Sequence, residues 1–342
     1  MSKFYDLTVE QVRQETADAC SFTFNVPEEL REIFAYQSGQ FLTFEVPYGD
    51  ENLLRCYSMS SSSIVDSKLQ VCVKRVDNGR ASNWFCDNLQ PGKNIKVKPP
   101  AGIFTVKHNQ DDLLLFAGGS GITPVYSILK SALYSSDNTV RLIYANRDVD
   151  SIIFRHEIRR LQQRFPERFE VFHLLDDLQS YPKSRMLSAL TYNMTHAQVY
   201  ICGPSPFMNA VEKALSKVCV NPQQIHIEKF ISLESPTEHL IKESEIIPEL
   251  NSGANINVSI YGDNHTFPCS PTETILQAAS NAGIELPFSC EVGMCASCMC
   301  EITEGDVELL TNEVLSENDL NNQIILTCQA IPKAKNIKLK FT

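Results

Sequence analysis

The sequence predicts a multidomain chain: an antiparallel β-barrel at residues 1–105, an α/β domain on a parallel sheet at 106–232, and an α+β domain of β-grasp layout at 251–342, with a linker at 233–250. Three observations carry this expectation. Short alternating strands broken by turn signals fill the first part. Continuous apolar runs alternate with helical patterns in the second, the texture of a parallel sheet covered on both faces. A Glu-, Ser- and Pro-rich stretch then separates off a segment with a hairpin, a helix and a cysteine-rich loop.

Taken in order, Phe22–Val26, Phe41–Val46 and Lys68–Val73 read as strands, with Pro47–Asp50 and Pro91-Gly92 as turns and a helix from Ala81 to about Leu89. Leu113–Ala117 and Val140–Tyr144 are apolar throughout, as strands buried on both faces require. Helices follow over Pro124–Leu133, 154–164 and 206–217, with further strands at Phe169–His173 and Val199–Cys202. Beyond the linker, Ile256–Ile260 and Thr266-Phe267 form the hairpin, and a helix runs over Thr274–Ala282.

Composition narrows the function classes. The chain has 342 residues, 43% apolar and 21% charged, with a net charge of −11, which argues against nucleic acid as a partner. From Asn251 onward there are eleven acidic and four basic residues, a bias suited to steering toward a positively charged partner, or simply to a solvated face. No run approaches the roughly 18 apolar residues of a membrane span. Met1–Asp6 has no apolar signal core, so a cytoplasmic protein is expected.

The cysteines carry the strongest chemical signal. Cys290, Cys295 and Cys298 are spaced C-x4-C-x2-C, and Cys328 follows on a strand-like segment. This is the plant-type spacing for a [2Fe-2S] cluster, in which a tight loop gives three thiolates and a distant segment the fourth. Gly293, Ala296 and Ser297 suit a backbone wrapped closely around such a core. Zinc is the competing reading, but structural zinc sites usually pair two close ligand couples and only one C-x2-C stands here. Cys300 lies on the strand leaving the loop and is not a ligand in this reading.

Two further segments point to nucleotides. Arg55-Cys56-Tyr57-Ser58 follows a strand and offers a cation, an aromatic face and a hydroxyl, as a flavin nucleotide needs. Gly79-Arg80-Ala81-Ser82 opens the barrel helix and presents N–H groups to a diphosphate. Gly118-Gly119-Ser120-Gly121-Ile122-Thr123-Pro124 and Cys202-Gly203-Pro204 each join a buried strand to a helix, where ligands bind in open α/β sheets.

With these motifs in this order, the chain resembles ferredoxin-NADP reductase-type flavoproteins fused to a plant-type [2Fe-2S] ferredoxin. The order flavin, nicotinamide, cluster resembles that of the reductases of the 3-ketosteroid 9α-hydroxylase and phenylacetyl-CoA oxygenase systems. The resemblance implies FAD in the barrel, held by Arg55, Cys56, Tyr57, Ser58, Cys72, Val73, Lys74, Gly79, Arg80, Ala81 and Ser82. Tyr57 would stack on the flavin ring, Ser58 would face its N5, and Arg55 and Ser82 would hold the pyrophosphate. Gly119, Ser120, Gly121, Thr123, Arg147, Cys202, Gly203, Pro204 and Glu228 would bind the nicotinamide nucleotide, and Phe230 would cover the flavin until it arrives. NADH is expected and NADPH is the alternative, since Arg147 suits a 2′-phosphate whereas Asp148 and Asp150 repel one. The implied activity is electron transfer from NAD(P)H through FAD and the cluster to a terminal oxygenase, hydroxylase or desaturase. A redox sensor or electron carrier with little turnover is the alternative.

Overall fold

The computed structural model describes residues 4–49, 51–106, 111–179, 183–230, 253–260, 262–288, 291, 293, 296–312, 314–315 and 317–341. The expected linker and the ligands Cys290 and Cys295 lie outside them. The chain divides into two compact units, one spanning Phe4–Phe230 and the other within Ile231–Thr342.

The first unit begins with six strands: β1 (Tyr5–Thr16), β2 (Ala19–Asn25), β3 (Phe41–Tyr48), β4 (Glu51–Ser58), β5 (Leu69–Lys74) and β6 (Asn94–Val97). They pair antiparallel in the order β4-β3-β6-β1-β2-β5, and a bridge between Met59 and Val71 joins the two outer strands into a barrel. Alternate residues such as Leu7, Phe22, Phe24, Leu42 and Phe44 fill its core. Helix α1 (Arg80–Asn88) adds Phe85, edge-on to Phe22 and Phe44.

Two expectations need correcting here. The Arg55–Ser58 tetrapeptide does not follow a strand but is the second half of β4. The turn expected at Pro47–Asp50 is narrower, because Pro47 and Tyr48 pair with Asn52 and Glu51. Beyond Glu45, β3 pairs with β4 alone, so a proline lacking an N–H is tolerated there.

The same unit continues with β7 (Leu113–Gly118), α2 (Ile122–Ser135), β8 (Val140–Asn146), α3 (Arg155–Arg164), β9 (Phe169–Leu175), α4 (Asp176–Gln179), α5 (Ser184–Thr191), β10 (Gln198–Cys202), α6 (Ser205–Lys217) and β11 (Ile225–Glu228). The sheet is fully parallel, in the order β11-β10-β7-β8-β9. Every residue of β7 and β8 is buried, which explains their unbroken apolar runs. Pro124 sits inside the first turn of α2, where its missing N–H costs no helical bond. Ala19, Cys72 and Phe104 of the barrel share a core with α2, so the two lobes pack directly.

The second unit holds β12 (Ala254–Ile260), β13 (Asp263–Cys269), α7 (Ile275–Asn281), β14 (Met299–Glu304), β15 (Val307–Leu309), α8 (Glu317–Asn321), β16 (Ile324–Leu326), β17 (Ala330–Pro332) and β18 (Asn336–Phe341). Its five-stranded sheet runs β13-β12-β18-β14-β16, with β12 and β18 parallel. Thr274 caps α7 in a reciprocal box with Gln277. Among the described residues, no helix is long and apolar enough to cross a membrane.

Candidate functional site

Strand β4 carries the first set of expected residues. Tyr57 is half-buried, its ring 4.9 Å from Phe85 and 5.9 Å from Phe44, and burial pushes its hydroxyl well above the usual range. Ser58 is buried beside it, and Cys56 lies 3.4 Å from the Thr43 hydroxyl. Arg55 donates to the Leu54 carbonyl at 2.7 Å, and burial, with nearby Arg80 adding to the effect, lowers its pKa.

Arg80 opens α1. Its guanidinium stacks 5.5 Å from the Tyr48 ring, yet Nη2 is buried without a hydrogen-bond partner. Gly79 precedes it without any side-chain cap, and a Cβ there would come within 2.4 Å of Ser82 Oγ. That hydroxyl instead accepts from the Val76 N–H at 3.1 Å. Two converging arginines, an orphaned buried N–H and an uncapped helix start form an anion cradle, and a flavin diphosphate fits it. On β5, Val73 faces the barrel core and Cys72 the core shared with the α/β lobe.

The glycine turns lie at the switch point of the parallel sheet. From β7 the chain moves outward through β8 and β9, then returns to the other side of β7 with β10 and β11. Ligands bind at such a reversal, beyond the carboxyl ends of the strands. The two turns touch: a Cβ on Gly121 would be 2.2 Å from the Cys202 carbonyl oxygen, and one on Gly203 2.9 Å from Gly118 Cα. Gly119 has φ +52°, and a Cβ there would meet only Lys74 Nζ, at 3.9 Å. The turn is braced by Tyr144, whose hydroxyl donates to the Gly119 carbonyl at 3.1 Å, and by Thr123, which donates to the Ser120 carbonyl at 3.1 Å.

Cys202 is fully buried and pairs across to Glu228 on β11; burial first, then that carboxylate, keep its thiol neutral. Pro204 is exposed at the start of α6, Ala81 is buried in α1, and Phe230 is exposed just beyond β11. Arg147, the first residue past β8, is exposed and pairs with Asp18 of the barrel at 3.0 Å.

In the second unit, Cys298 and Cys328 are buried with their sulfurs 3.3 Å apart. That is too far for a disulfide and a little under the roughly 3.8 Å of two thiolates on one tetrahedral metal with bonds of about 2.3 Å. Among the described residues before Cys298, Glu291, Gly293 and Ala296 all take left-handed backbone conformations, φ +62°, +76° and +55°. The Gln329 amide donates to the Glu291 carbonyl at 3.1 Å and reaches Cys328 Sγ at 3.5 Å, so it ties Glu291 to Cys328, which lies in the turn after β16. An iron–sulfur cluster fits these two thiolates and this backbone. Cys300 instead sits in the hydrophobic core opposite Ile325, and burial pushes its thiol up.

Asp18, Tyr144 and Gln329 escape sequence reasoning. Each acts through a partner far along the chain, and none belongs to a local motif.

This geometry defines a class: an NAD(P)H-dependent oxidoreductase in which FAD and a [2Fe-2S] cluster pass electrons onward. Family models agree in the same order: an oxidoreductase FAD-binding domain over residues 6–106, an oxidoreductase NAD-binding domain over 115–213, and a 2Fe-2S iron-sulfur cluster binding domain over 258–333. The chain is 41% identical to the ferredoxin reductase component of 3-ketosteroid-9-alpha-monooxygenase of Rhodococcus rhodochrous, covering 98% of this chain and 96% of that one. It is 30% identical to one of the subunits of 1,2-phenylacetyl-CoA epoxidase of Escherichia coli strain K12, covering 100% and 98%. Phthalate dioxygenase reductase shares the fold, with a TM-score of 0.63 at 23% identity over 99% of this chain and 98% of that one. The chain belongs to this family of flavin- and iron–sulfur-containing reductase components.

Proposed function

We propose that this reductase serves a multicomponent oxygenase, hydroxylase or desaturase, taking electrons from NAD(P)H and delivering them singly to that partner. FAD, when bound, supplies the conversion between a two-electron donor and a one-electron cluster. The observation that carries the reading is Lys74: it extends from barrel strand β5 to the glycine turn after β7, so a residue of the flavin lobe reaches the nucleotide cradle.

In this reading Arg55 and Arg80 hold the flavin diphosphate, with Gly79 and Ser82 shaping the turn, and Tyr57 and Ser58 lie along the ring. Gly119–Gly121, Gly203 and Pro204 cradle the nucleotide diphosphate, and Thr123 lies toward the nicotinamide. The neutral Cys202 thiol and Glu228 line the nicotinamide end, and Phe230 covers the flavin until the nucleotide arrives. Cys290, Cys295, Cys298 and Cys328 ligate the cluster. The modules fall at 1–105, 106–232 and 251–342, with 233–250 linking them. Buried thiols at Cys20, Cys72, Cys202, Cys269 and Cys300 support a reducing, cytoplasmic setting.

Cys298→Ser tests the order of transfer. Electron delivery to the cognate oxygenase should be lost while NADH-ferricyanide activity persists, because ferricyanide takes electrons without the cluster. Loss of both activities with flavin still bound would show that the order is wrong.

A further inference from the structure

The connection between β1 and β2 places a carboxylate where neither nucleotide lobe nor flavin pocket requires one. Asp18 Oδ1 accepts from the Thr16 hydroxyl at 2.7 Å, and the Asp18 carbonyl accepts from the Arg75 N–H at 2.7 Å, which fix the side chain and the turn. The other carboxylate oxygen, Oδ2, faces two cations: Arg147 Nη2 at 3.0 Å and Lys74 Nζ at 3.6 Å. Asp18 and Lys74 belong to the barrel, whereas Arg147 stands at the carboxyl end of β8, so the pair spans the lobes.

The place matters. In open α/β nucleotide sites the residue after the second strand lies at the adenine ribose, where a cation accepts the 2′-phosphate that distinguishes NADPH from NADH. Arg147 is that residue, and Asp18 already engages it. Asp148 and Asp150 follow immediately, and Asp148 is held as a carboxylate by the Ser151 N–H at 2.7 Å. A 2′-phosphate would have to displace a fixed carboxylate and sit beside Asp18 and Asp148, which both face Arg147. A bare ribose hydroxyl needs no cation at all. Lys74, placed on the FAD side by the resemblance, is less exposed and reaches to Gly119, in the turn read as the cradle for the diphosphate common to both nucleotides.

We propose that Asp18, contributed by the flavin lobe, makes this enzyme select NADH by neutralising Arg147 against the 2′-phosphate of NADPH. The inference rests on reading the Gly118–Gly121 turn as the nucleotide cradle, and it names the specificity residue of that site.

The test measures kcat/KM for both nucleotides with ferricyanide as acceptor. Asp18→Asn and Asp18→Ser both remove the charge from a half-exposed turn, so at least one folded variant is expected. The kcat/KM ratio of NADPH to NADH should rise roughly three- to fivefold, through a lower KM for NADPH, because a like-charge clash is removed and an exposed cation released. Arg147→Gln added to either variant should cancel the gain. An unchanged ratio in both single variants, or a gain that survives loss of Arg147, would overturn the proposal. Lys74→Met separates the underlying reading: it should raise KM for both nucleotides. If it leaves both untouched, the cradle assignment falls and the proposal with it. If it weakens both while Asp18→Asn leaves the ratio alone, only the role of Asp18 falls.

Discussion

Gln329 offers a quantitative test of how the protein controls its cluster. The side chain is buried; its amide nitrogen lies 2.8 Å from the Cys328 carbonyl, 3.1 Å from that of Glu291 and 3.5 Å from Cys328 Sγ, while Thr311 donates to its oxygen at 2.9 Å. Gly293 is a glycine partly because a Cβ there would sit 2.8 Å from Gln329 Cγ. Gln329→Leu keeps the volume and removes every one of these bonds. A hydrogen bond to a charged group is worth about 1.5–3 kcal/mol. The reduced cluster carries one more negative charge than the oxidised one, so only part of that energy, about 1 kcal/mol, distinguishes the two states at a contact this long. For a one-electron couple, a tenfold change in the equilibrium corresponds to about 59 mV, so the expected shift is roughly 40 mV toward more negative potential. Gln329→Glu should move it further, since a carboxylate replaces the donor. Potentiometric titration followed by electron paramagnetic resonance (EPR) reads the shift directly. An unchanged or more positive midpoint with full iron content would refute the reasoning.

Other substitutions probe the ligand set and the cradles. Cys328→Ser should lose the cluster's iron and visible spectrum, whereas Cys300→Ser, in the core opposite Ile325, should keep about two irons per chain; the reverse pattern would make Cys300 the fourth ligand. Gly121→Ala sets a methyl 2.2 Å from the Cys202 carbonyl oxygen, so NADH oxidation should fall at least about tenfold with flavin retained; normal kinetics would place the nucleotide elsewhere. Arg80→Met removes the cation whose buried Nη2 has no protein partner, and flavin affinity should fall by roughly 10–100-fold, as expected for losing one charge-assisted hydrogen bond. Equilibrium dialysis or fluorescence titration of the released flavin measures it.

Much of this site is legible in the sequence because its chemistry is local. The glycine turn after β7 needs small residues within one short segment, and its packing against Gly203 follows once both strands are read as parallel and buried. The cysteine spacing likewise encodes a loop wrapped around a metal core. Strand β4 is harder to place, since Leu53, Leu54, Arg55, Cys56 and Tyr57 follow no clean alternation of apolar and polar residues. Three-residue strands such as β15 and β17 exist only because each has the other to pair with. The least legible residues act at a distance. Asp18 has meaning only when the β1–β2 turn is brought to the end of β8, and Gln329 only when the turn between β16 and β17 meets Glu291. No propensity or period marks such residues, because their partners lie in other elements.

The central claim is that electrons from a nicotinamide reach the cluster within this chain. Anaerobic addition of NADH to the purified protein, followed by low-temperature EPR, tests it most directly. A reduced [2Fe-2S] signal that integrates to about one spin per chain is expected, with the oxidised flavin absorbance bleached in the same sample. If the flavin bleaches while the iron remains EPR-silent and oxidised, electrons stop at the flavin and the account is contradicted.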